Sequence, residues 1–320
     1  MLGDVRMAHE DSLRGEGALR WVYAVMVGTA LLVGDSAVAK DKADEGDGAS
    51  PSGLANVYID FRTNYSYVPG GSLATGLGDT SLFGTLSQLA TVRRLLDRPT
   101  LPGRPQLSAP TNQGVGADVP LTVDIGEALS LYGGFTGSAS YNGRSAWSDV
   151  AVTSWFLGFQ ADVYQQNGGA IPTVTLQSTL TRSVPDSPLA TTSFATVVEA
   201  KYALDPDEMR GWLAGVQYTH TEIETVLARV GDTTVGYVGG FYQWDNNWKA
   251  SARVGLQSFG GAQLLAVAPI ASYTQPLVRL DLDRMDDDDN RLFGITAQIA
   301  WAPKPVYQLT VRTPLYAIKN

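Results

Sequence analysis

The sequence has no cysteine and only two histidines in 320 residues. The first absence removes disulfides, thiolate nucleophiles and cysteine-built metal sites. The second leaves one imidazole, His220, beyond the amino-terminal region, too few for a histidine-built zinc site. Long apolar runs are also missing. Only Trp21–Gly34, bounded by Arg20 and Asp35, stands out, and it is shorter than the roughly 20 apolar residues of a membrane-spanning helix. Basic residues are the minority: the formal net charge is −9, so the footprint that nucleic-acid phosphate requires is lacking and no nucleic-acid partner is expected. Mean hydropathy is −0.04. That value fits a soluble protein, and equally a barrel in which only every second strand residue meets lipid.

What is present begins with a leader. The apolar run is followed by Ala37-Val38-Ala39, a small-x-small cleavage site, so residues 1–39 are expected to be a secretory signal peptide cut near Ala39. No cysteine follows it, which excludes a lipoprotein. Residues 40–54 are polar and rich in Gly, Ser and Asp, a flexible lead-in. Residues 55–320 carry the fold.

Their dominant pattern is alternation. In Trp248–Ser258 one parity holds Trp248, Ala250, Ala252, Val254 and Leu256, the other Lys249, Ser251, Arg253, Gly255 and Gln257. Successive strand side chains point to opposite faces, so one face is apolar and one polar. The same pattern marks segments near 55–67, 116–125, 128–141, 150–165, 170–184, 193–204, 211–221, 234–244, 263–281, 291–302 and 306–318. Asp79–Leu96 is ambiguous, because its tail would also pass for an amphipathic helix. Four prolines in Asp97–Asn112 forbid regular pairing there. Asn167-Gly168-Gly169 is a hairpin-turn sequence, and Asp245-Asn246-Asn247 is a second tight turn. From Gln165 onward short and long connections tend to alternate. Trp212, Trp244, Trp248 and Trp301 fall near strand ends, as in the aromatic girdles of membrane barrels.

The expected fold is all-β: an antiparallel, up-and-down transmembrane β-barrel of about 12 strands, with 14 as the alternative. It belongs in the outer membrane of a Gram-negative bacterium, with membrane lipid and a small-molecule solute as partners and no cofactor. Parity sends Arg62, Glu199, Lys201, Gln217, Lys249, Arg253, Gln257, Gln298 and Arg312 to the lumen. His220 stands at a loop rim without the partners that a hydrolytic triad needs, and no G-x-S-x-G elbow precedes a helix. The acidic run Asp281–Asp289 lacks calcium-loop spacing and reads as a solvated connection. Gly239-Gly240 and Gly260-Gly261 read as bends.

Two segments extend this reading. Gly76-Leu77-Gly78-Asp79-Thr80-Ser81-Leu82 resembles a G-x-G-D-x-x-L strand start. Ser148-Asp149-Val150-Ala151-Val152, followed by the return strand Ile171–Pro185, resembles a second strand pattern of the same family. On these residues the chain resembles the MetA-pathway of phenol degradation family of Gram-negative outer-membrane proteins. The resemblance implies a barrel of about twelve strands that moves small hydrophobic or aromatic molecules. The chain departs from the pattern in its proline-rich connection and in its Ile318-Lys319-Asn320 ending. Three other functions stay open: a structural or binding barrel with a plugged lumen, an outer-membrane hydrolase, and a secreted soluble β protein.

Overall fold

A computed structural model describes residues 56–69, 111–125, 128–141, 146–166, 169–184, 190–224, 228–264, 272–286, 291–301 and 304–318. The leader, the lead-in, the Gly76–Leu82 motif, the Asp79–Leu96 segment and nearly all of Asp97–Asn112 lie outside them.

The strands in chain order are β1 (Asn56–Val68), β2 (Asn112–Ile125), β3 (Leu129–Tyr141), β4 (Ala151–Tyr164), β5 (Thr173–Ser183), β6 (Thr191–Ala203), β7 (Arg210–Ile223), β8 (Ala228–Val230), β9 (Thr233–Gln243), β10 (Trp248–Phe259), β11 (Ala262–Leu264), β12 (Tyr273–Met285), β13 (Arg291–Trp301) and β14 (Pro305–Ile318). All except β8 and β11 form one closed antiparallel barrel, sealed where β14 returns to β1. Twelve strands therefore make the barrel. The alternative of fourteen fails because β8 and β11 are three residues long and pair only with each other. Closure leaves no strand edge and satisfies the backbone donors and acceptors all round. Bulges at Ile59/Asp60, Thr136/Gly137, Asp162/Tyr164 and Arg284/Met285 add local bend to the long strands.

The connections β2–β3, β4–β5, β6–β7, β9–β10 and β12–β13 lie at one end of the barrel, together with the start of β1 and the end of β14; we call this the tight-turn rim. The remaining connections lie at the other end. At Asp245–Asn247 the turn closes through Trp244 N–H to the Trp248 carbonyl at 2.8 Å, with Asn247 at φ 64°. The hairpin expected around Asn167-Gly168-Gly169 is the antiparallel pair β4–β5, with β4 ending at Tyr164 and β5 starting at Thr173; Asn167 and Gly168 lie outside the described residues. Gln166 fills the gap by capping Ala203 at the end of β6, with hydrogen bonds of 2.8 and 3.1 Å.

The segment expected as one strand, Gln263–Asp281, is two elements. Ala262–Leu264 leaves the barrel as β11, and β12 begins at Tyr273 and runs on to Met285. Half of the supposed acidic connection is thus barrel wall.

Burial runs opposite to that of a soluble core. Leu256 is 59% exposed, while its neighbour Gln257 is 0% exposed. The outward face carries large apolar side chains such as Val238, Val254, Leu280 and Leu309. Aromatic pairs stand towards both ends. Tyr202 stacks on Trp212 at 5.5 Å near the tight-turn rim, and Tyr67 meets Tyr307 at 6.4 Å near the other.

Candidate functional site

Register identifies the interior face. Glu199, Gly215, Tyr237 and Gly255 form one cross-strand row over β6, β7, β9 and β10. Tyr237 passes over Gly215 and donates its hydroxyl to Glu199 Oε2 at 2.7 Å. A Cβ on Gly215 would sit 2.5 Å from that ring and hydroxyl, so only glycine leaves the crossing open. A side chain spans from β9 to β6 in this way on the concave side of a sheet, which makes this parity the interior one. Phe241 crosses Gly211, Tyr132 crosses Gly158, and Phe156 crosses Gly134 in the same manner.

The strongest polar cluster lies midway along this wall. Arg253 on β10 donates from Nη1 to Asp281 Oδ2 at 2.5 Å and from Nη2 to Glu199 Oε2 at 3.3 Å. Its guanidinium lies 5.9 Å from the Tyr237 ring. Asp281 on β12 also accepts Arg279 Nη2 at 2.8 Å, the Thr296 hydroxyl at 2.6 Å and the Ser251 hydroxyl at 3.3 Å. Charges removed from water are tolerable when paired and hydrogen-bonded on every side, and Asp281 meets that condition. The network is graded. Arg279 and Asp281 side chains are 9% exposed, whereas Glu199 is 26% exposed. Its inner half is therefore wall, and its outer half faces accessible interior space.

The residues assigned to the lumen from sequence all sit on the interior parity, and among them Glu199 and Arg253 meet directly. Lys201 pairs with Glu208 at 3.0 Å and lies 4.9 Å over the Phe241 ring. Lys249 approaches the same ring at 5.7 Å. Gln217 is buried and donates to Thr219 at 3.3 Å. Gln257 accepts from Gln275 at 2.7 Å. Gln298 is buried between Arg279 and Gln308 in register. Arg62 lies 3.8 Å from Asp60 and in register with Asp118 and Arg312.

Sequence reasoning missed Arg279, Asp281, Asp118 and Tyr237. The expectation that Asp281–Asp289 is a solvated connection is corrected here: Asp281 is buried at the hub of the network, and Asp283 on the same strand pairs with Arg291 at 2.8 Å. Counting alternate residues back from Asp283 would have aligned Asp281 and Arg279 with it. The misplaced strand end hid that parity. Tyr237 had no signal, because Val235, Tyr237 and Phe241 make this face of β9 apolar, and only the glycines of the adjacent β7 explain how aromatic rings fit inside.

His220 sits on the outward parity of β7 near the rim opposite the tight turns. Its Nδ1 lies 2.6 Å from Asp232 and its Nε2 3.5 Å from Glu222. Tyr218 donates to the same Asp232 at 2.7 Å. A carboxylate thus stands beside each ring nitrogen, Asp232 within hydrogen-bond distance and Glu222 further off. Asp232 follows β8, outside the barrel strands. The hydroxyl of Tyr218 and then His220 hold its carboxyl below the usual carboxylate range.

No protein family and no curated protein matches the chain. Solved structures similar to it include the COG4313 outer membrane channel from Pseudomonas putida F1, at 10% identity and a TM-score of 0.49, covering 86% of this chain and 100% of that one. The translocator domain of autotransporter NalP from Neisseria meningitidis is 12% identical with a TM-score of 0.41, covering 97% and 98% respectively. The CymD monoaromatic hydrocarbon channel is 8% identical with a TM-score of 0.39, covering 82% and 88%.

Proposed function

We propose that this chain is an outer-membrane barrel that passes or binds small molecules in its interior without covalent chemistry. The observation that carries the reading is the inverted burial: exposed Leu256, Val254 and Leu280 outside, and buried Gln257, Gln275, Arg279 and Asp281 inside a closed ladder. An apolar exterior of this extent is stable against lipid and would aggregate in water. The aromatic pairs at both ends suit the two membrane interfaces. The start of β1 and the end of β14 lie at the tight-turn rim, which this reading takes as the periplasmic side.

The lumen path would be lined by Arg62, Glu199, Lys201, Lys249, Arg253 and Arg312, selecting by size and charge; Gln217, Gln257 and Gln298 point inward as well but are buried in the packing. The family resemblance at Ser148–Val152 and Ile171–Pro185 directs the solute class towards small hydrophobic or aromatic molecules. Of the inward rings, Phe156, Tyr237 and Phe241 are buried in the wall, and Tyr132 is the half-buried one that offers surface to such solutes.

The test is single-channel recording and proteoliposome swelling with the refolded barrel, after detergent-dependent fractionation and heat-modifiable gel mobility establish its membrane form. Stepwise conductance or solute-dependent swelling is the expected result. Folded barrel with neither would overturn the channel reading. A binding barrel with a plugged lumen is the second reading, favoured by the packing of Val235, Gln257, Gln275 and Leu277, each at most 1% exposed. It expects ligand binding without conductance.

A further inference from the structure

We infer that Asp232 is a proton-responsive catch at the foot of the β8–β11 ribbon, and that protonation of His220 tightens the ribbon's hold on β7. The inference concerns the rim opposite the tight turns and goes beyond the channel reading.

The ribbon continues the register of β9 and β10. Phe259 faces Thr233 at the end of the barrel ladder, and Ala262 faces Val230 at the start of the ribbon. The joint between them sets Gly231 against Gly261 and Asp232 against Gly260. Two backbone hydrogen bonds cross it, from the Gly231 N–H to the Gly261 carbonyl at 2.7 Å and from the Gly260 N–H to the Asp232 carbonyl at 2.8 Å. Gly261 has φ 89°, a conformation that glycine adopts readily. A Cβ on Gly231 would stand 2.5 Å from the Gly260 backbone. The joint is therefore bare except for the side chain of Asp232.

That side chain bonds where the backbone ladder stops. β7 pairs with β9 as far as Thr219–Thr233, then runs on to Ile223 beside β6. Past this last rung, Asp232 accepts the Tyr218 hydroxyl at 2.7 Å and lies 2.6 Å from His220 Nδ1. The clasp ties the foot of the ribbon to β7 in place of main-chain bonds.

A carboxylate can only accept, so His220 donates from Nδ1. Imidazolium adds its own charge to that bond and strengthens it. It also attracts Glu222, 3.5 Å from Nε2. Arg229 on β8 acts on Asp232 as well, and a guanidinium stays charged throughout. On β6, Phe194 and Thr192 stand in register with His220 and Glu222 and do not ionise. Arg182 of β5 is engaged with Glu224. Of these groups His220 is the one that changes charge near neutral pH. His220 and Asp232 are both nearly half exposed, so solvent screening keeps the gain small. The added grip is present in mild acid. It fades as the pH rises past the titration of histidine, about 6.5 in ordinary surroundings. The Tyr218 bond remains on both sides of that value.

Amide hydrogen exchange of the refolded protein in micelles tests the catch at about pH 5.5 and about pH 8.5, either side of the histidine range, with intrinsic exchange rates divided out. Protection of the amides in residues 228–233 and 259–264 is expected to be roughly two- to fivefold higher in mild acid. The β3–β4 amides are the internal standard and should keep theirs. His220→Gln retains a donor that does not titrate and should give equal protection at both pH values. Tyr218→Phe should lower protection at both and preserve the ratio. A flat wild-type profile, or a ratio that survives in His220→Gln, would overturn the inference. The measurement needs a folded barrel, checked by heat-modifiable mobility, and no conductance, so its failure leaves the channel reading untouched.

Discussion

Tyr237 reaches Glu199 across Gly215, with its hydroxyl 2.7 Å from the carboxylate and no room for a Cβ beneath the ring. A glycine on one strand, a tyrosine on the next and an acid on the strand before are thereby one unit. Gly215→Ala would place its Cβ 2.5 Å from the ring and 2.9 Å from the Val198 carbonyl. It should destabilise the barrel by about 1–3 kcal/mol, as overpacking does. Gly236→Ala, where an added Cβ meets nothing within 4 Å, is the matched control and should be close to neutral. Urea unfolding in detergent micelles compares the two; equal effects would mean that the Tyr237 crossing carries no such strain.

Asp281 is the hub whose removal leaves the largest debt. Asp281→Ala takes the carboxylate from Arg253, Arg279, Thr296 and Ser251 together and strands buried guanidinium charge. The expected loss is about 3–5 kcal/mol, read in the same unfolding assay. Glu199→Gln should cost much less, since Glu199 is more exposed and Arg253 keeps Asp281. A Glu199 variant as damaged as the Asp281 one would contradict the graded network.

Arg253 faces the accessible interior and bridges two acids. Under the channel reading, Arg253→Ala widens the lumen at mid-height and uncovers Glu199. Single-channel recording should then show higher conductance and a reversal potential displaced towards cations. Unchanged conductance and selectivity would place the ion path away from this wall.

At the opposite rim, Asp232 titrates below its usual 3.8 because Tyr218 and then His220 bond its charged form. A depressed carboxyl contributes its tie above its unfolded pKa and loses it as the pH falls through the lowered folded value. The link from Asp232 to β7 should therefore persist through neutral and mildly acidic conditions and release only in stronger acid. A carboxylate NMR titration should place Asp232 below 3.8 and show the midpoint rising in Tyr218→Phe; a midpoint at or above the ordinary value in the wild type would refute it.

Alternation in Trp248–Ser258 was legible because a strand's side-chain period is two, whatever surrounds it. The missing cysteines, the absence of long apolar runs and that period together specified half-polar antiparallel strands and the parity of residues such as Arg253 and Gln257. They could not say which face of a strand turns inward, because a soluble sheet and a membrane barrel share the alternation and exchange only its surroundings. Closure of β14 onto β1 decided that, through register between residues far apart in the chain: Tyr65 with Leu309, and Arg62 with Arg312. The same long-range register brought Arg253 to Glu199 and Asp281, pulled Asp281 out of an acidic run into the wall, and laid Tyr237 over Gly215. Period is a property of the local backbone; partnership across strands is set only when the sheet curves and closes.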